Sequence, residues 1–276
     1  SKHTKLIELD CGENNLTNLD VTKNTMLRSL MCNDCKLTSL NITACSALIS
    51  LVCSNNQLSD LDLTKNTALE ALHCGRNKLT SLNISTCIAL SYLYCNDNLL
   101  TELDLSNCTM LRDLSCQNNE LTTLNVNNCY DLSELHCNNN KLTSLDLSTN
   151  GIGYASIYNN PFTTDVFNNI MCSLPSVSWG TLYVLENDKD TNASIFEASN
   201  GNIAIDKGYS LRYAETSNDI PATNGTFTCT PLILDSSEYI TLNIRKGENV
   251  NFDFASPINN TPIKIKNGND ISYLVS

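Results

Sequence analysis

Seven cysteines, Cys11, Cys32, Cys53, Cys74, Cys95, Cys116 and Cys137, stand 21 residues apart through six successive intervals. A strict period of this size describes stacked coils, each one turn of a solenoid that buries its apolar face only against its neighbours. The same spacing argues against the chemistries cysteine usually suggests. In-register parallel neighbours sit ~4.8 Å apart with parallel Cβ vectors, whereas a disulfide brings its Cβ atoms to about 3.8 Å. Zinc needs four convergent ligands, and none can be assembled, since Cys32 and Cys35 fall on a strand and its turn. The ladder therefore reads as small buried hydrophobes.

Stacked at 21 residues, the chain repeats the pattern LxxLxCxxNxL seven times, from "LIELDCGENNL" onward, and so matches the leucine-rich repeat consensus. An eighth, shortened copy places Ile152, Ala155, Ile157, Asn160 and Phe162 in the Leu, Leu, Cys, Asn and Leu slots. The L-x-C alternation predicts one short parallel strand per coil, with Leu and Cys inward and their neighbours on a concave face. About eight coils would form a slab ~35–40 Å long. The return segments, such as "LTSLDLS", are too short and too rich in Thr, Ser and Asn for helices. They predict an irregular convex side of turns and short strands.

The consensus Asn slot holds Asn14, Asn56, Asn77, Asn98, Asn119, Asn140 and Asn160, with Cys35 in the second coil. A buried amide at this place can satisfy turn donors and acceptors of its own and neighbouring coils. A second small-residue ladder runs through Asn24, Cys45, Asn66, Cys87, Cys108, Cys129 and Asn150. Convex positions alternate as Asp20, Asn41, Asp62, Asn83, Asp104, Asn125 and Asp146, which keeps carboxylates two coils apart. This reads as charge spacing; a calcium ladder would keep Asp in every coil.

After Phe162 the character changes. "TTDVFNNIMCSLP" predicts a helix, "GTLYVLEN" a strand, "NASIFEASNGNIAI" a weaker helix broken at Gly201, and "YSLRYAE" another strand. This α/β stretch is expected to cap the array, whose open end would otherwise expose core. From Pro221 the turns "RKGEN" and "KNGND" between alternating apolar residues predict hairpins. The expected organisation is a repeat array over 1–162, an α/β C-terminal cap over 163–216 and a small β-rich module over 217–276. Both chain ends are abrupt, as in a segment of something longer.

The 21-residue LxxLxCxxNxLTxLDxS repeat with its cysteine ladder, over residues 6–162, resembles the internalin-type leucine-rich repeat proteins and the many-repeat surface proteins of Bacteroidetes-type commensals. "SLPSVSWGTLYVLEN" resembles the segment that closes such arrays in the latter group. "ITLNIRKGENVNFDFASPINNTPIKIKNGN" resembles a small β-module that there often precedes an array. The resemblance implies an exported protein, at the cell surface or extracellular, whose repeats bind other macromolecules and whose signal segment is absent from this chain. It carries over no catalytic residue.

Composition narrows the partners. Twenty-nine acidic against 17 basic residues give a net charge of −12, which opposes nucleic acid and a polybasic hold on anionic lipid. No apolar run reaches the 18 residues of a membrane span. Of three histidines, His73 and His136 stand three coils apart, too far to share a metal or a catalytic dyad. No phosphate loop or GxSxG element is present, so neither an enzyme nor a cofactor is expected. What remains is the concave face, where Tyr92, Tyr94, His73, Asp113, Glu134, His136, Tyr154 and Tyr158 gather toward the middle and C-terminal coils. Exposed tyrosine is a favoured interface anchor, and this face is the candidate binding site for a protein or glycan. The alternative is a spacer that presents another domain; a uniformly Ser/Asn/Thr face would favour it.

Overall fold

The computed structural model describes residues 3–187, 189–190, 192–220, 223 and 225–229, and the backbone of 263–267 and 270–274. It divides into two compact units, Ser1–Phe227 and Thr228–Ser276. In the first, every repeat contributes one three-residue strand: β1 (Glu8–Asp10), β2 (Ser29–Met31), β3 (Ser50–Val52), β4 (Ala71–His73), β5 (Tyr92–Tyr94), β6 (Asp113–Ser115), β7 (Glu134–His136) and β8 (Tyr154–Ser156). Each pairs in parallel with the next without a register slip, so Leu30, Leu51, Leu72, Leu93, Leu114 and Leu135 align in one column. The eight strands bound seven turns of solenoid.

One coil shows what holds the stack. Leu111, Leu114, Cys116, Leu121, Leu124, Val126 and Cys129 are all buried, from both the strand and the return segment. Each large apolar side chain so buried contributes about 1.5–3 kcal/mol. In the first coil Leu6, Leu9, Cys11, Leu16 and Leu19 are only partly buried against the second. From Cys32 to Cys137 the cysteine ladder is fully buried, and all its thiols are free. Loss of solvation pushes the thiols of Cys53, Cys95 and Cys137 up to about 12.

The Asn column works through hydrogen bonds between coils. Asn56 Oδ1 accepts from Leu37 N at 2.9 Å, while its Nδ2 donates to Cys32 O at 2.8 Å and Cys53 O at 3.1 Å. The same set recurs at Asn77, Asn98, Asn119, Asn140 and Asn160. Asn14, exposed, bonds only within its own turn, to Cys11 O and Gly12 O. In the second ladder Asn66 Nδ2 donates to Ile42 O and Cys45 O, and Asn150 does the same four coils later, to Val126 O and Cys129 O.

The convex return is built of turns, with one parallel bridge between Asp20 and Asn41. Its Asp/Asn column has a duty that charge spacing does not cover. Asp20, Asn41, Asp62 and Asn83 each accept from the backbone N–H two residues on, and so do Asp104, Asn125 and Asp146. These are Asx turns, which demand Asp or Asn in every coil and leave only the choice of charge free. Asn83→Asp keeps the turn and adds a carboxylate between Asp62 and Asp104. It is expected to lower the thermal midpoint at low salt and less so at high salt. Equal midpoints in low salt would show that the alternation has no electrostatic role.

Beyond the repeats come α1 (Thr164–Ser173), β9 (Gly180–Leu185), α2 (Ala193–Glu197), α3 (Asn202–Asp206) and β10 (Tyr209–Tyr213). Thr163 caps α1 by accepting from Val166 N. Phe167 meets Phe162 of the last repeat edge-on at 5.5 Å and Phe196 of α2 at 5.2 Å. β9 pairs in parallel with β8, and β10 with β9, so the concave sheet runs to ten strands. Cys172 and Cys229 are each disulfide-bonded. In the second unit β11 (Ile263–Asn267) and β12 (Asp270–Leu274) form the antiparallel hairpin expected at "KNGND". The "RKGEN" turn lies outside the described residues.

Candidate binding face

Strand register places the concave side chains in two columns. One runs Ala71, Tyr92, Asp113, Glu134, Tyr154; the other His73, Tyr94, Ser115, His136, Ser156. Two groups form within them. The His73 and Tyr94 rings meet edge-on at 4.4 Å, and the Tyr94 hydroxyl donates to Asp113 Oδ2. Asp113 Oδ1 is buried and has no hydrogen-bond partner among the described residues. Further along, His136 Nε2 lies 3.1 Å from Glu134 Oε1, and its ring is 5.1 Å from Tyr154. Tyr154 in turn is 5.3 Å from Tyr183 of β9. The two histidines belong to different groups. Tyr92 joins neither and is 42% exposed; Tyr158 is half-buried beside the second.

Two clefts border these groups. One, about 440 Å³, lies between His73, Tyr94, Asn96 and the Asn55–Arg76 rim. The other, about 360 Å³, lies between Gln117, Asn138, His136, Tyr154, Tyr158 and Tyr183. The rim of the second, with Asn118 and Asn139 in its lining, is a polar ladder. Asn118 Nδ2 donates to Asp97 Oδ1 at 2.8 Å, Asn139 to Asn118 at 2.7 Å, and Asn159 to Asn139 at 2.8 Å. These residues hold left-handed backbone, with φ of 53° at Asp97, 57° at Asn118, 54° at Asn139 and 52° at Asn159. Asn and Asp tolerate that region better than other side chains. The sequence signal for this rim is an Asp or Asn just before the consensus Asn slot, which only the first and fourth coils replace, with Glu13 and Arg76. Tyr183 was not foreseen, because nothing local says that its strand joins this sheet.

Burial, and then the Glu134 charge, raise the pKa of Asp113 against the lowering effects of Tyr94, His136 and His73. Folding therefore disfavours its ionised form. The cost is absent below the ordinary carboxylate range, grows as pH rises through it, and levels off above the folded midpoint. Burial lowers the pKa of His73, opposed by Asp113. That contribution runs the other way, with stability lost as pH falls through the ordinary imidazole value of about 6.5. Tyr94→Phe removes the hydroxyl that holds the Asp113 charge, so the Asp113 midpoint is expected to move to higher pH. A carbon-13 NMR titration reads it; an unmoved midpoint would contradict the assigned hydrogen bond.

Among the described residues no group of three or more His, Cys, Asp or Glu side chains could hold a metal ion, and no helix is long and apolar enough to cross a membrane. Fold and ladder together define a leucine-rich repeat solenoid of the cysteine-ladder kind. The chain is similar to the functional domain of InlJ from Listeria monocytogenes, which itself includes a cysteine ladder. The two share 30% identity with a TM-score of 0.63, over 79% of this chain and 46% of that one. The fold is also that of the internalin InlF from the same organism, at 22% identity and a TM-score of 0.64, over 77% of this chain and 62% of that one. The chain thus spans about half the length of the first structure and three-fifths of the second. No protein-family model and no curated protein matches it. Solenoids of this class present extended concave surfaces suited to protein recognition.

Proposed function

We propose that the chain is a non-enzymatic recognition and adhesion module that binds a protein or glycan through the concave face of β4 to β9. The observation that carries this reading is the preordered row from His73 to Tyr183. Ring contacts and hydrogen bonds already hold these side chains, so a partner would find little rotamer freedom left to freeze. Strands β1 to β3 present Glu8, Asp10, Ser29, Met31, Ser50 and Val52, with no aromatic residue. A spacer would present such a face throughout. The carboxylates Asp113 and Glu134 favour a basic or hydroxyl-rich partner.

The same reading takes residues 163–216 as the cap of the array and 217–276 as a separate β-rich module. It places the protein outside the cell, at the surface or secreted. The disulfide-bonded Cys172 and Cys229 support an oxidising compartment, since such bonds are rare in the cytosol. The test is a screen of protein and glycan arrays with the purified chain. Reproducible, saturable binding supports a recognition module; a silent screen across both classes leaves the spacer as the better account.

A further inference from the structure

We propose that the cleft of about 360 Å³ where the last repeats meet β9 is a saccharide subsite, shaped for one neutral pyranose unit of a larger glycan. The inference rests on the recognition reading for its face of the molecule and goes further in naming the ligand's chemistry. The volume lies at the lower end of the range of small-ligand pockets, roughly 300–1,000 Å³.

The floor is the first argument. Gln117 and Asn138 occupy the same position in adjacent coils, so two primary amides lie side by side. Asn138 is only 4% exposed. Beside it, Gln117 Oε1 is buried with no hydrogen-bond partner among the described residues. Buried polar groups are ordinarily paired, and those left open at a cleft floor are matched when a ligand arrives. An amide offers donors and an acceptor in one plane, and neighbouring sugar hydroxyls offer both in return.

The walls are the second. Tyr154 and Tyr183 stand 5.3 Å apart with planes tilted by 47°, and Tyr158 lines the same space. Their faces suit the C–H side of a pyranose ring, while the Tyr183 hydroxyl already donates to Ser217 Oγ at 3.5 Å on the far rim.

Charge selects among sugars. Among the described residues no lysine or arginine lines the cleft. Arg212, beside Tyr183, is paired with Asp219 at 3.2 Å. Glu134 sits against His136, Glu186 accepts from Asn159, and Glu186 and Glu215 lie near enough to Tyr158 to raise its pKa, after burial. A sulfated or sialylated unit would meet carboxylates with no lysine or arginine among the described lining residues to offset them.

The experiment is saturation-transfer NMR on the full chain with methyl glycosides of glucose, galactose, mannose, fucose, N-acetylglucosamine and N-acetylgalactosamine, and of N-acetylneuraminic acid as the anionic probe. At least one neutral glycoside is expected to receive saturation, and the anionic one none. Asn138→Leu and, separately, Tyr183→Ala should weaken binding about ten-fold, the scale of one lost hydrogen bond or ring contact. Lys65→Ala on the convex side should leave it unchanged. Tyr183 is half-exposed, so its variant tests the cleft even if the Asn138 change disturbs folding. Silence from every neutral glycoside, a signal that survives both variants, or preference for the anionic probe would overturn the proposal. A protein partner mapped to Tyr92 and Tyr94 with the cleft silent would do so too, while leaving the recognition reading intact.

Discussion

Asn119→Ala is expected to lower the unfolding free energy by about 3 kcal/mol, and Asn14→Ala by less than about 1 kcal/mol, although both alter the same consensus position. The difference lies in the neighbouring coil. Asn119 Oδ1 accepts from Leu100 N at 2.9 Å, and its Nδ2 donates to Cys95 O and Cys116 O, each at 3.1 Å. Alanine would leave these buried groups without their partner, at about 1–3 kcal/mol for each that finds no water. Asn14 reaches only carbonyls of its own exposed turn. Urea unfolding of the two variants decides the matter; equal losses would mean that the column does not bind coil to coil.

Thiol chemistry should separate the folded and unfolded states even more sharply. Twelve of the fourteen cysteines are free, and all of these but Cys11 are buried. Burial also disfavours the thiolate, the form that reacts, with Cys74 and Cys116 pushed well above the ordinary range by desolvation and by neighbouring ladder thiols. An alkylating reagent at neutral pH is therefore expected to label about one thiol in the native chain and about twelve after denaturation. Rapid native labelling of most thiols, or far fewer than twelve after unfolding without reductant, would contradict a packing role. Cys74→Ser, which buries a hydroxyl in an apolar stack, is expected to cost about 1–3 kcal/mol.

What could be known from the residues alone follows from repetition. Leu93, Cys95 and Asn98 each sit in a column, and a column announces its own register, its inward face and the neighbour it must satisfy. The Asx turns at Asp62 and Asn83 were visible as an alternation whose geometry was hidden, because an i to i+2 hydrogen bond leaves no trace in charge. The Tyr94–Asp113 bond joins different columns of adjacent strands, and no periodicity predicts a diagonal. Tyr183 depends on tertiary pairing: "GTLYVLEN" reads equally well as an edge strand of a separate cap. Its place beside Tyr154 is set by the parallel pairing of β9 with β8.

The concave face is tested most directly by comparing Tyr92→Ala/Tyr94→Ala with Lys65→Ala, using the partner that the array screen returns. Tyr92 is exposed, and Tyr94 ties His73 to Asp113, so the double change strips the anchors from the middle of the face while the Leu and Cys columns stay intact. The account predicts that binding weakens by about 2 kcal/mol or more in the double variant and is unaltered by Lys65→Ala. Normal binding by the double variant, together with loss on changing the convex side or residues beyond β10, would contradict it.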